Sequence, residues 1–266
     1  MTLITPAEAT ERFRNASQYY TTGRPTYPPL LIDRVVDLIG LQRTDRVLDL
    51  GTGPGFLAID FAPRAGHVTA IDPSADMLGV ARANAARAEV DINFVQSSSY
   101  DLDSRFGQFR LVTIGRAFHW MDREDTLRRL DGLIEPDGAV VLFFDQSPDV
   151  PANAWTAAYR AVLDKYSAND KLGASSRASL PSHEAVLLAS PFDALERHSV
   201  LERRATPLER FVDRLLSLGA AWTGLDPSRV QDVTNEIRTA LAPYATDNVI
   251  HEVVEGRALI ARRTRP

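Results

Sequence analysis

Short apolar runs alternate with stretches of helical periodicity along the first 145 residues. Each run is only a few residues long and is bounded by turn residues, as is typical of buried strands. The runs predict strands at 46–50, 68–71, 92–95, 111–114 and 139–144. The stretches between them predict helices at 56–61, 74–88 and 123–130. Because strands and helices in this alternation form parallel sheets through right-handed crossovers, the pattern predicts a doubly wound α/β fold.

The pattern loosens after residue 144. It predicts a helix at 153–166, a strand at 196–202, helices at 207–218 and 228–241, and a last strand at 251–262. Roughly 40 residues separate the last two strands, too many for a hairpin loop, so we expect a helical cap there. The chain then divides into an N-terminal helical segment at 1–45, a core at 46–204, a cap insertion at 205–245 and the final strand of the core sheet at 246–266.

Composition narrows the class of protein. The 266 residues are 44% hydrophobic, carry a formal net charge of -5 and include no cysteine. This charge does not favour nucleic acid or anionic membranes as partners, and the missing thiols exclude disulfides and cysteine-ligated metals. The longest apolar run, AVVLFF at 139–144, is too short to span a bilayer, and the N-terminus lacks the apolar core of a secretory signal. We expect a cytoplasmic protein, a monomer or homodimer, that acts on a small molecule.

The segment DLGTGPG is the strongest chemical signal. It places Gly51, Gly53 and Gly55 between a predicted strand and a predicted helix, where backbone amides face a ligand. A dinucleotide fingerprint would need a third glycine at the position of Phe56, and a P-loop would need Lys-Ser or Lys-Thr after the glycines. Asp49 at the strand end suits a ligand with a cationic amino group and no phosphates.

The segment V-L-D-L-G-T-G-P-G resembles motif I of the class I S-adenosylmethionine-dependent methyltransferases. The next predicted strand ends in Ile71-Asp72-Pro73-Ser74, similar to the second motif of that family, where an acid accepts both ribose hydroxyls. The resemblance implies a Rossmann-like, mostly parallel seven-stranded sheet and S-adenosylmethionine as cofactor, with S-adenosylhomocysteine as product. From these motifs it implies that the cofactor contacts Asp49, Gly51, Thr52, Gly53, Asp72, Pro73 and Met77.

Three further segments extend the resemblance. INFVQSSSYDL is similar to the third strand and adenine loop, which implies contacts from Ser98, Ser99 and Tyr100. FRLVTIGRAFHWMDRED resembles the fourth strand of a type 11-like subgroup with an A-x-H-W loop, which implies that Gly115, Arg116 and Ala117 line the methionine part of the cofactor. YYTTGRPTYP is similar to the Y-x-x-x-R-P-x-Y-P stretch of that subgroup, so Tyr20 and Arg24 are expected to close over the cofactor and bind its carboxylate.

Methyl transfer from a sulfonium requires an aligned, unprotonated acceptor and exclusion of water, without a metal. His119 lies on the loop after the fourth predicted strand and is the candidate base; a brace that fixes the loop is the competing role. Trp120 is expected to form a wall of the site. Trp155 and Trp222 lie in predicted cap elements, where they either bracket a substrate or fill the core.

Three functions follow from these signals. The first is a methyltransferase acting on an O or N atom of a small metabolite, because the IGRAFHW loop differs from the N-P-P-Y type that holds a base amine or a glutamine amide. The second is a non-catalytic S-adenosylmethionine-binding sensor or assembly module. The third is a nicotinamide oxidoreductase, which Phe56 disfavours.

Overall fold

The computed structural model describes residues 17–166, 181–218 and 227–264. Within these ranges all seven predicted strands are present. They are β1 Arg46–Leu50, β2 His67–Asp72, β3 Asn93–Gln96, β4 Phe109–Gly115, β5 Ile134–Gln146, β6 Ala194–Pro207 and β7 Val249–Arg262.

The strands form one sheet in the order β3-β2-β1-β4-β5-β7-β6. All pairs among β1 to β5 are parallel, whereas β7 runs antiparallel to both β5 and β6. The strand order reverses between β1 and β4, which is where open α/β sheets bind ligands, beyond the carboxyl ends of the strands. The prediction of a doubly wound, mostly parallel seven-stranded sheet is confirmed.

Nine α-helices flank the sheet in the described ranges. They are α1 Ser17–Gly23, α2 Pro29–Ile39, α3 Phe56–Phe61, α4 Ala75–Arg87, α5 Arg123–Asp131, α6 Trp155–Tyr166, α7 His183–Leu188, α8 Leu208–Leu216 and α9 Pro227–Leu241. The sequence of α2 shows why they form. Pro29 begins it, the buried face repeats through Leu31, Ile32 and Val35, and Gly40 ends it with a left-handed φ of 64°.

The sheet has a separate apolar core on each face. Val47 of β1 packs into the cluster beneath α2 and α3, while its neighbours Leu48 and Leu50 pack into the opposite cluster with α5 and α7. This split follows from the two-residue period of strand side chains. Because both faces are covered, the strands read as continuous apolar runs rather than as an alternating pattern.

A third core belongs to the cap. Helices α6, α8 and α9 pack together around Trp155, Phe211, Ile237 and other apolar side chains. Strands β6 and β7 pair over their whole length, and the chain between them passes through α8 and α9. Because β6 continues to Pro207, the division expected after residue 204 falls inside a strand.

The N-terminal helix is held against the cap. Gly23 at the end of α1 lies so close to α8 that an added Cβ would stand 2.4 Å from the carbonyl carbon of Asp213. Arg214 of α8 donates to both carboxylate oxygens of buried Glu252 in β7, at 2.9 and 3.2 Å, and to the Gly23 carbonyl at 3.4 Å. The position of α1 therefore depends on the cap and on β7. Among the described residues, no helix is both long and apolar enough to cross a bilayer.

Candidate cofactor site

A cleft of about 780 Å³ lies beyond the carboxyl ends of β1, β2, β3 and β4. The structure brings most of the predicted site residues together there. Those that line it are Tyr20, Gly51, Gly53, Asp72, Pro73, Met77, Ser98, Ser99, Tyr100, Gly115, Arg116, Ala117 and Trp120. Sequence reasoning missed four further lining residues, which are Leu50, Ser74, Ser97 and Met121. Each of the four is a direct neighbour of a predicted residue. The expectation that ligands bind beyond the carboxyl ends of the strands therefore identified the loops but not every position on them.

The glycine-rich loop forms the floor of the cleft. Gly51 has a φ of 72°, and a Cβ there would lie 2.6 Å from the Cβ of Ala117 on the loop after β4. The amides of Gly51 and Thr52 both donate to the carbonyl of Ile71, at 2.8 and 2.9 Å. The loops after β1, β2 and β4 are thus locked together, and only glycine satisfies both the dihedral angle and the close approach.

Asp72 ends β2 at the edge of the cleft and is almost fully buried. One carboxylate oxygen accepts from the Gly53 amide and the other from the Ser74 amide, both at 2.9 Å. Burial raises the pKa of Asp72, and these two amides oppose the shift. Each oxygen can accept a further hydrogen bond, so the carboxylate keeps acceptor capacity for two donors of a ligand.

Asp49 lies beneath the loop. Its carboxylate accepts from the hydroxyl of Thr52 at 2.6 Å and from that of Thr113 at 2.8 Å, and burial raises its pKa to about 6. Asp49 and Thr52 do not line the main cleft; they line an adjoining cavity of about 290 Å³ that also contacts Arg116. Asp49 therefore braces the loop from below.

Arg116 lines both the cleft and the adjoining cavity. Its Nη1 donates to Asp145 Oδ1 at 2.7 Å and to the Pro25 carbonyl at 3.2 Å. The guanidinium also lies 5.0 Å from the ring centroid of Tyr27 and 6.0 Å from that of Tyr20. These contacts fix an arginine at the wall of the cleft. Asp145, which directly follows the AVVLFF run, is a partner that sequence reasoning missed.

Ser98 stands on the loop after β3. Its hydroxyl donates to Asp101 Oδ2 at 2.6 Å, and its amide donates to the same oxygen at 3.1 Å. The hydroxyl proton is thereby committed to Asp101, which leaves the serine oxygen as an acceptor toward the cleft. A carboxylate therefore supports this loop from a position three residues later in the chain.

Tyr20 and Arg24 contact each other but line different cavities. Tyr20 lines the cleft, whereas Arg24 lies over the Tyr20 ring with its guanidinium 5.3 Å from the centroid and lines a different cavity. The structure does not bring Arg24 to the cleft wall, where Arg116 stands instead. Helix α1 therefore presents the Tyr20 ring to the cleft, while Arg24, directly after the last residue of the helix, lines another cavity.

The predicted base and the predicted substrate residues occupy different surroundings. His119 is half-buried and does not line the cleft; its ring centroid lies 4.7 Å from that of Trp120, which does. Trp155 is buried in the cap core, with its ring 4.6 Å from Phe211. Trp222 lies outside the described residues. Of these four side chains, only Trp120 is seen at the cleft.

Sequence reasoning also missed His183. The ring of this residue lies between Phe118 and Phe144, at 5.3 and 5.6 Å, and its Nδ1 is 3.3 Å from Arg123 Nη1. Burial and the Arg123 charge lower the pKa of His183. It supports the 118–120 segment from below. In the described part of the chain no group of histidine and carboxylate side chains is placed to hold a metal ion.

The family model and the relatives that match this chain are all methyltransferases. Residues 47–138 match the family model described as a methyltransferase domain. An uncharacterized methyltransferase of Mycobacterium tuberculosis is 25% identical over 87% of this chain and 86% of its own length. The ubiquinone biosynthesis O-methyltransferase of Aeromonas salmonicida is 33% identical over 43% of this chain and 49% of its own length.

The fold has a matching solved structure. A Bacillus halodurans protein, described as a candidate methyltransferase, superposes with a TM-score of 0.52 at 20% identity, covering 88% of this chain and 99% of its own. This likeness supports the fold, while the domain model and the curated relatives support the activity. Residues 47–138 are therefore a methyltransferase domain, and this match, the relatives and the fold together support a class I S-adenosylmethionine-dependent methyltransferase.

Proposed function

We propose that the protein transfers a methyl group from S-adenosylmethionine to an O or N atom of a small-molecule metabolite. The observation that carries this proposal is the convergence of Asp72, Arg116 and Ser98 on one cleft. Together they offer an acceptor for two hydroxyls, a donor for a carboxylate and an acceptor for an amine. The carboxylates of Asp49 and Asp72 flank the glycine loop, which suits a cationic ligand better than a pyrophosphate.

Each part of the cofactor has a matching group in the cleft. Asp72 would accept from the two ribose hydroxyls, because both of its oxygens keep acceptor capacity beside the amides of Gly53 and Ser74. Arg116 would donate to the methionine carboxylate with the guanidinium nitrogens that Asp145 does not use. Ser98 would accept from the adenine amino group, since its own proton is held by Asp101.

When bound, S-adenosylmethionine supplies an electrophilic methyl group on a good leaving group. The residues of the chain must then align the acceptor and keep water out. Trp120 and Met121 form the wall next to Arg116 and Ala117, and Tyr20 covers the cleft from α1. His119 acts through this wall as a brace, because its ring packs against Trp120 and lies outside the lining.

Two observations favour a small acceptor. The net charge of -5 is poorly suited to nucleic acid. The relative from Aeromonas salmonicida is named as a ubiquinone biosynthesis O-methyltransferase, which supports an oxygen atom of a small molecule as the target. Transfer to a nitrogen atom would use the same cleft, because alignment rather than acid chemistry dominates this reaction.

The test is turnover of S-adenosylmethionine carrying a labelled methyl group on a panel of hydroxyl- and amine-bearing metabolites. We expect label in at least one O- or N-methylated product, and loss of that product in Asp72→Asn. The exposed Asp91→Asn serves as the charge-matched control. Tight binding of S-adenosylhomocysteine without turnover on any panel member would instead favour the sensor module.

A further inference from the structure

A second cavity, of about 1110 Å³, lies behind α1. It is open to solvent and is lined by the segment from Thr22 to Pro29, the end of β6 and the first turn of α8. Arg24 projects into this cavity while resting on the ring of Tyr20, whose own place is in the cofactor cleft. The two cavities are thus separate and share α1 as a partition.

Arginine dominates the charge of this cavity. Five arginines line it, which are Arg24, Arg203, Arg204, Arg210 and Arg214. Among the described residues, only two carboxylates, those of Glu202 and Glu252, line it with them. The lining therefore carries a formal charge of about +3 in a chain whose overall charge is negative.

Both carboxylates already form ion pairs with arginines of the cavity. Arg204 pairs with Glu202 at 3.1 Å, and Arg214 pairs with Glu252 at 2.9 Å. Glu252 also accepts from the Thr206 hydroxyl at 2.8 Å. The remaining guanidinium groups, on the other three arginines, form no ion pair with any residue that the structure describes.

Of these three arginines, Arg24 gives the strongest indication of a ligand. Its Nε is buried and has no hydrogen-bond partner among the described residues. A buried donor without a partner is costly, and an ion or water that completes its hydrogen bonding is one explanation for such a group in a native protein. Arg203 and Arg210 stand exposed at the same cavity, and Arg210 lies in the first turn of α8, where the helix dipole adds positive potential.

We propose that this cavity binds a small multivalent oxyanion, whose carboxylate or phosphate oxygens accept from Arg24, Arg203 and Arg210. Guanidinium groups pair with such oxygens in planar, bidentate geometry. The site is distinct from the cofactor cleft, where Arg116 is paired with Asp145. It does not depend on the function proposed above.

Calorimetric titration tests the proposal with two probes, citrate for carboxylates and pyrophosphate for phosphates. Each is titrated into the wild-type protein alone and into the protein saturated with S-adenosylhomocysteine. We expect saturable binding of at least one probe under both conditions. The double variant Arg203→Gln/Arg210→Gln should weaken it at least about tenfold, because each lost charge-assisted contact accounts for roughly that factor. The two arginines are exposed, so the fold should persist.

The matched control is Arg43→Gln/Arg160→Gln, which removes the same charge from exposed sites outside the cavity. It should bind the probes as tightly as the wild type. Binding by citrate alone identifies a carboxylate ligand, and binding by pyrophosphate alone a phosphate ligand; either supports the site. Absence of binding by both probes, equal losses in the two double variants, or displacement of the probe by S-adenosylhomocysteine would overturn the proposal.

Discussion

Arg116 Nη1 lies 2.7 Å from Asp145 Oδ1, and this ion pair is largely shielded from solvent at the wall of the cofactor cleft. The pair joins the loop after β4 to the end of β5, two neighbouring parallel strands. A paired, oriented guanidinium loses little freedom when it binds a second carboxylate. This relationship makes Arg116 the best candidate to hold the amino-acid end of the cofactor.

Arg116→Lys should therefore weaken S-adenosylhomocysteine binding by about tenfold or more, because an ammonium cannot keep Asp145 and also offer a bidentate fork. The matched probe is 5′-methylthioadenosine, which lacks the carboxylate. Its affinity, measured by calorimetry, should change little. Equal losses for both ligands would mean that Arg116 supports the cleft without touching the carboxylate.

Asp72→Asn should weaken S-adenosylhomocysteine and 5′-methylthioadenosine alike, since both carry the ribose. Charge-assisted hydrogen bonds are worth roughly 1.5–3 kcal/mol each, so a loss of at least about tenfold in affinity is expected while the fold persists. Circular dichroism and calorimetry, with Asp91→Asn as control, give the comparison. Unchanged affinity in a folded variant would remove Asp72 from the site.

His119→Asn should retain near-normal turnover between pH 6 and 9. The ring of His119 packs on Trp120 outside the cleft lining, so we expect it to brace the loop, a role in which asparagine can keep a hydrogen bond. Steady-state rates across that pH range are the measurement. A loss of roughly 10²–10⁴-fold that follows a titration near pH 6–7 would make His119 the general base instead.

Gly23→Ala should destabilise the protein by about 1–3 kcal/mol, because the new methyl group would meet the backbone of Asp213 at 2.4 Å and push α1 away from α8. Gly79→Ala is the control. Gly79 lies within α4, and apart from the backbone of that helix and its chain neighbours no atom lies within 4 Å of its Cβ position, so alanine there should stabilise the protein by about 0.5–1 kcal/mol. Urea unfolding of both variants tests the pair. Similar small effects at the two positions would contradict the close contact between α1 and α8.

Asp49 should make stability depend on pH. Burial raises its pKa to about 6 in the folded chain, above the unfolded value of about 4. Protonated Asp49 therefore contributes to the free energy of unfolding, and this contribution is fully present below about pH 4. It is lost as the pH rises through about 6, and the loss is on the order of 3 kcal/mol.

In Asp49→Asn the free energy of unfolding should therefore fall less between pH 4.5 and pH 7 than in the wild type. Asp60, whose pKa burial also raises to about 6, contributes in the same direction and keeps part of the slope. Urea unfolding at the two pH values is the measurement, and Asp91→Asn is the control. A slope unchanged from that of the wild type would show that Asp49 does not titrate in this range.

The sequence by itself determined the order of the strands along the chain, the resemblance to methyltransferases, and the loops at which the cleft forms. These features depend on local properties. Apolar runs mark buried strands, and Gly51, Gly53 and Gly55 mark a turn that needs positive φ. Helices α3 and α5 begin at their predicted residues because helix starts also depend on local sequence. Helix α7 was not predicted, although it is as long as α3, because it lies beyond residue 144, where the strand–helix alternation no longer marks the elements.

Only the tertiary structure decided which arginine faces the cleft. Arg24 and Arg116 both fit the family pattern, but packing of α1 against α8 directs Arg24 to the other cavity. The arginine cavity itself joins residues near position 24 with residues beyond position 200. No local pattern encodes that meeting, because it arises from the long antiparallel pairing of β6 with β7 and from the docking of the cap against the N-terminal helix.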